Sequence, residues 1–133
     1  MRVGFTGTRE GMTAPQRATL RKLLLEFEGG EFHHGDCVGA DAEAHDIAVE
    51  IGYDIVIHPP LRDKLRAHKS GCEIREPKAY LDRNRDIADE TDVVVATPST
   101  FQEALHSGTW STVRHARKTN KPVVIIFPNG STL

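Results

Sequence analysis

Cysteine is scarce: Cys37 and Cys72 are the only two among 133 residues. Two isolated thiols cannot staple a small secreted fold, so a reducing, cytoplasmic setting is the expectation. Long hydrophobic runs are missing too. None approaches the roughly 20 residues of a membrane-spanning helix, so no membrane partner is expected. The segment Met1-Arg2-Val3-Gly4-Phe5 reads as a strand and not as a signal peptide. Neither sign of charge is in large excess, with 17 Lys and Arg against 19 Asp and Glu and a formal net charge of −2. That balance counts against a phosphate backbone, and so against nucleic acid, as the main partner. Internal repeats, low-complexity segments and linkers are absent as well. What is there, 38% hydrophobic and 27% charged residues, suffices for one packed domain and is too mixed for a disordered chain. Residues 1–128 are assigned to that domain and 129–133 to a short tail expected to fray.

Two periods alternate along the chain. Short β-branched or apolar runs recur at Val3–Thr6, Phe32–His34, Ile55–His58, Val93–Thr97 and Val123–Phe127. The last two are continuously apolar, as in strands of a parallel sheet covered on both faces. Helical stripes lie between them. Leu20, Leu23, Leu24 and Phe27 follow a Thr13 cap and Pro15, and Ala40, Ala44, Ile47, Ala48 and Ile51 end at Gly52. Asn84, Ile87, Ala88 and Thr91 share a third face, and a fourth helix runs from Thr109 to about Thr119. Strands alternating with helices predict a three-layer α/β fold, an open parallel Rossmann-like sheet of about five strands in a single domain. The stretch from Pro59 to Lys78, with six basic residues, reads as a short helix plus a mobile loop that could act as a lid.

In such sheets ligands bind at the carboxyl ends of the strands, where the strand order reverses. The first strand runs into Thr6-Gly7-Thr8-Arg9 and the second into His34-Gly35-Asp36-Cys37-Val38-Gly39-Ala40-Asp41, while Ser107-Gly108-Thr109 opens the last helix. Small and hydroxyl residues before a helix leave backbone N–H groups free for an anion, most commonly phosphate. Each turn alone reads equally as a tight turn with an N-cap; three at one sheet edge make a pocket. Arg83 and Asn84 belong with it, because Asn84 is a polar amide on an apolar helix face and needs a partner there. Asp41 and His45 share a helix face, His33, His34, Asp36 and Cys37 lie just before them, and His68 and Cys72 share the same spacing. The set lacks the compact spacing of a zinc motif, so no metal is expected. A Cys37–His nucleophile pair is a remote option. Trp110 and Phe5 read as core, with Phe5 and Phe101 also considered as partners for a base.

The segments His34–Asp41, Arg83-Asn84-Arg85-Asp86-Ile87-Ala88, Asp92–Ala96 and Ser107-Gly108-Thr109 occur in an order that resembles the SLOG superfamily, the Rossmann-like group that includes DprA and the LOG phosphoribohydrolases. The likeness is to the small YspA/YpsA-related branch, and it spans Val3 to Phe127. It implies a nucleotide-type ligand held by Gly7, Thr8, Arg9, Gly35, Asp36, Gly39, Asp41, Arg83, Asn84, Ser107, Gly108 and Thr109. It also implies a homodimer or higher homo-oligomer. The LOG motif PGG-x-GT-x-x-E departs here: the PGG is missing and Thr112 stands where the glutamate takes part in N-glycosidic cleavage. A nucleotide sensor or sequestering module with no resident cofactor is therefore the first reading. The alternative is a nucleotide N-glycosidase in which Asp36, Asp41 or Glu103 replaces that glutamate. DNA binding by analogy with DprA is a third reading, resting on fold alone.

Overall fold

The computed structural model describes residues 1–71 and 73–133, so the expectation for Cys72 lies outside the described residues. The described residues form one α/β domain of six parallel strands and four helices. The strands are β1 (Arg2–Gly7), β2 (Glu31–His34), β3 (Asp54–Ile57), β4 (Glu73–Ile74), β5 (Val93–Thr97) and β6 (Val123–Ile125). The helices are α1 (Ala14–Glu26), α2 (Ala40–Ile51), α3 (Tyr80–Asp89) and α4 (Gly108–Lys118). The sheet order is β4-β3-β2-β1-β5-β6. From β1 the chain steps outward to β4, then crosses back to lay β5 against the other side of β1, so the order reverses between β1 and β5.

All five residues of β5 are buried, as its unbroken apolar run requires. Val93 and Val95 pack with Leu20 and Leu24 of α1 and Ala44 and Ala48 of α2. Val94 meets Ala88 and Ala116, and Ala96 meets Trp110 and Val113, on the α3–α4 side. Period-two alternation along one strand thus separates the two helical layers. Thr13 caps α1 reciprocally with Gln16, whose buried amide also donates to the carbonyls of Pro98 (2.8 Å) and Ile126 (2.9 Å). Gly52, at φ +113°, ends α2 in the left-handed region, as its place after the apolar stripe predicts. No helix among the described residues is long and apolar enough to cross a membrane.

Three expectations are corrected. The sheet has a sixth strand, β4, whose two exposed residues carry no alternation to read. No helix forms among the described residues between Pro59 and Lys78. That stretch is stitched to the β2–α2 loop, with Val38 N–H donating to Leu65 O (2.9 Å) and Ala67 N–H to Asp36 O (2.7 Å). The tail is not frayed: Leu133 and Ile125 exchange backbone hydrogen bonds, and Ser131 O accepts from Phe127 N–H.

Candidate functional site

β1 and β5 run in register from Val3 opposite Val93 to Gly7 opposite Thr97, after which their chains leave toward opposite helical layers. A cleft of about 320 Å³ opens at this carboxyl edge. Gly7, Thr8 and Arg9 line it from the β1–α1 loop, Gly35 and Asp41 from the β2–α2 region, Arg83 and Asn84 from α3, and Ser107, Gly108 and Thr109 from the start of α4. The structure therefore brings ten of the anticipated ligand residues together. Asp36, Gly39 and Glu103 do not line the cleft.

Each of those three has another partner. Asp36 is fully buried, with its carboxylate accepting from Arg66 Nε (2.8 Å) and the Lys69 N–H (2.9 Å), which clips the basic stretch to the loop beside the cleft. None of the described residues from 59 to 79 lines the cleft. Gly39, at φ +89° and ψ −128°, lies so close beneath the first loop that an added Cβ would fall 2.2 Å from Arg9 O. Glu103 pairs with Arg114 at 2.9 Å. Gly7 is likewise dictated by proximity, since a Cβ there would sit 2.4 Å from Thr97 Oγ1. Thr8 organises the turn: its N–H donates to Thr97 O, and its own carbonyl accepts from Gly11 and Ala40.

Two arginines set the charge. The Arg83 guanidinium, 5% exposed, donates to Gly35 O (2.5 Å), His58 O (3.1 Å) and Asn84 Oδ1 (2.8 Å). Arg9 is exposed, and both guanidinium carbons lie 5.1 Å from the Tyr80 ring centroid. Among the described residues Arg9 has no carboxylate partner. At α4, Ser107 Oγ caps the Trp110 N–H (3.2 Å), while the Gly108 and Thr109 N–H groups carry no partner among the described residues.

Burial pushes the Asp41 carboxyl up to about 6, against the pull of Arg83 and of the Cys37 and Gly35 N–H groups. The folded carboxyl thus holds its proton more tightly than an unfolded one at 3.8. Its contribution to stability is present below about pH 4 and is lost as pH rises through 6. The stability difference between the native chain and Asp41→Asn should therefore shift against the native chain by up to about 1.4 kcal/mol per pH unit between those values, read by urea denaturation. A difference that stays flat would show that Asp41 titrates normally.

The nucleophile pair does not form. Cys37 Sγ meets Arg83 Nη2 at 3.6 Å, and burial, then Asp41, raise its thiol pKa. Asp41 and His45 part company as well: His45 Nδ1 faces His34 Nε2 at 3.0 Å, and Asp41 Oδ2 accepts from Cys37 N–H. Phe101 stacks on Phe127 at 5.8 Å outside the cleft, whereas Phe5 is both core and cleft floor. Sequence reasoning missed Tyr80 and His106 in the lining, whereas Ser99 belongs to the Thr97-Pro98-Ser99-Thr100 run at a strand's carboxyl end, where ligands are expected. Only Tyr80 left a signal, three residues before Arg83 and so on its side of α3.

No family model matches the sequence, and no curated protein matches it significantly. Solved structures do match. The molybdenum cofactor binding protein of the phototrophic bacterium Rippkaea orientalis is 23% identical, with a TM-score of 0.73 over 95% of this chain and 76% of that one. The molybdenum cofactor carrier protein of Chlamydomonas reinhardtii is 22% identical, TM-score 0.67, over 93% and 74%. DNA processing protein A of Helicobacter pylori, described with a single-stranded DNA binding mode, is 20% identical, TM-score 0.64, over 94% and 64%. At such identities these likenesses show the fold alone, a Rossmann-like α/β domain.

Proposed function

We propose that the cleft binds a nucleotide or nucleotide-derived ligand, making the protein a sensor or sequestering module of the YspA/YpsA-related kind. The observation that carries this reading is the convergence of free N–H groups at Gly108 and Thr109 with the unpaired Arg9 in one cleft. Backbone donors at a helix N-terminus and a guanidinium suit a phosphate. The Asn84 side-chain nitrogen has no partner among the described residues, and together with Asp41 it is placed to meet ribose hydroxyls or a base edge. The carriers among the fold neighbours add the molybdenum cofactor to the candidate ligands, and a homodimer through α3 and α4 belongs to the same proposal.

The test is a thermal-shift panel of AMP, ADP-ribose, NAD, a cyclic dinucleotide and molybdenum cofactor. A true ligand at a hundredfold excess over Kd stabilises by about 2.7 kcal/mol. Arg9→Ala, at an exposed position, should weaken binding at least tenfold and leave the ligand-free Tm unchanged. A blank panel, or affinity indifferent to Arg9, removes the reading. One observation favours the alternative hydrolase: Asp41 is a cleft carboxyl with its pKa pushed up to about 6. Thr112 offers no replacement acid, being buried with its hydroxyl donating to Gly108 O (3.0 Å). Release of free base from any hit, lost in Asp41→Asn, would establish that alternative.

A further inference from the structure

Outside the cleft lining, two buried histidines from the sheet meet. His33 of β2 and His58, one residue past β3, are 1% and 2% exposed, and His33 Nδ1 lies 2.8 Å from His58 Nε2. The other nitrogen of His33 lies 2.9 Å from Glu31 Oε1. An ionised carboxylate only accepts, so His33 carries its proton on Nε2 and turns the Nδ1 lone pair toward His58. Glu90, the half-buried cap residue after α3, completes the group. One ring nitrogen of each histidine and one Glu90 oxygen all lie within 4.8 Å of one another.

We propose that His33, His58 and Glu90 form a binding site for a divalent transition metal of the Zn²⁺ class. Two neutral imidazoles and a carboxylate are a donor set such ions take, with a fourth position left to water. Ligands of a tetrahedral ion bound at about 2.0–2.2 Å stand roughly 3.4 Å apart. The two rings need to part by only about half an ångström, while His58 moves its single proton from Nε2 to Nδ1. Glu31 on His33 is the outer carboxylate that characteristically orients a metal-bound imidazole. Arg75 plays a similar part on Glu90, donating to Oε1 from Nη2 (2.7 Å) and Nε (3.2 Å), so that Oε2 is the oxygen for the ion. The expectation of no metal weighed His33 together with His34, Cys37, Asp41, His45, His68 and Cys72, without His58 or Glu90; the fold gives His34, Cys37, Asp41 and His45 other partners and turns His33 toward His58.

The full chain is titrated with Co²⁺, followed by its visible bands, and then with Zn²⁺ in competition. Zinc X-ray absorption of the 1:1 complex counts imidazoles without any substitution. The expected result is one equivalent bound with two imidazoles. Glu90→Gln should weaken it at least tenfold, and His68→Ala, at an exposed position, should leave it intact. Because His33 and His58 are buried and their variants risk misfolding, the absorption spectrum and Glu90→Gln decide the matter. Absence of binding at millimolar metal, fewer than two imidazoles in the complex, or indifference to Glu90→Gln would each overturn the proposal.

Discussion

Arg83→Met should lower the unfolding free energy by about 3–5 kcal/mol, read as a shift in urea midpoint at unchanged m-value. Methionine restores most of the volume but none of the donors. The carbonyls of Gly35 and His58, both held by Arg83 Nη1, would be left buried and unpaired. Asp41 would lose the nearest charge opposing its burial, and its carboxyl would rise beyond about 6. Arg83→Lys does not rescue this arrangement, because an ammonium cannot reach Gly35, His58 and Asn84 in the fixed fork of a guanidinium. A loss below 1 kcal/mol would mean that these bonds are dispensable to the fold and that Arg83 is reserved for the ligand. Arg83 is thus a poor first probe of binding, and Arg9 a good one.

Gly39→Ala should cost about 2–4 kcal/mol and abolish ligand binding in whatever remains folded. The new Cβ would meet Arg9 O at 2.2 Å, its carbonyl carbon at 2.5 Å and its Cα at 2.8 Å, all backbone atoms with nowhere to rotate. Relief requires the β1–α1 loop to lift from α2, carrying Arg9 away from Tyr80. Gly52→Ala is the matched control. That glycine also has a positive φ, +113°, but nothing lies within 4 Å of an added Cβ, so its cost should stay near about 1 kcal/mol. Equal losses at the two positions, measured by chemical denaturation, would show that conformational strain alone, without the clash, sets the cost.

The parts of this molecule legible in its sequence are those that local patterning dictates. The run Val93-Val94-Val95 has to be a two-sided strand, and Ala44, Ile47 and Ala48 followed by Gly52 can hardly be other than a capped amphipathic helix. Turns at strand ends locate the cleft for the same reason, since they follow from where strands stop and helices start. What stayed hidden depends on partners far away in the chain. Asp36 resembles a ligand residue until Arg66, thirty positions on, is found bonded to it. Arg83 and Gly35 are 48 residues apart. β4 has two residues and exists only because β3 offers it an edge. His106 reaches the cleft from the irregular segment between β5 and α4, where no periodicity reports direction.

The clip between Asp36 and the basic stretch has a kinetic meaning. A segment whose arginine and backbone are already committed to a buried carboxylate cannot swing over the cleft without first breaking that node. The mouth beside Arg9 is open. Ligand arrival is then set by diffusion and by the field of the exposed guanidinium, and departure by the contacts inside the cleft. A ligand held there as proposed would equilibrate with its pool continuously, so that occupancy follows concentration as it changes and no captured molecule is locked behind a door.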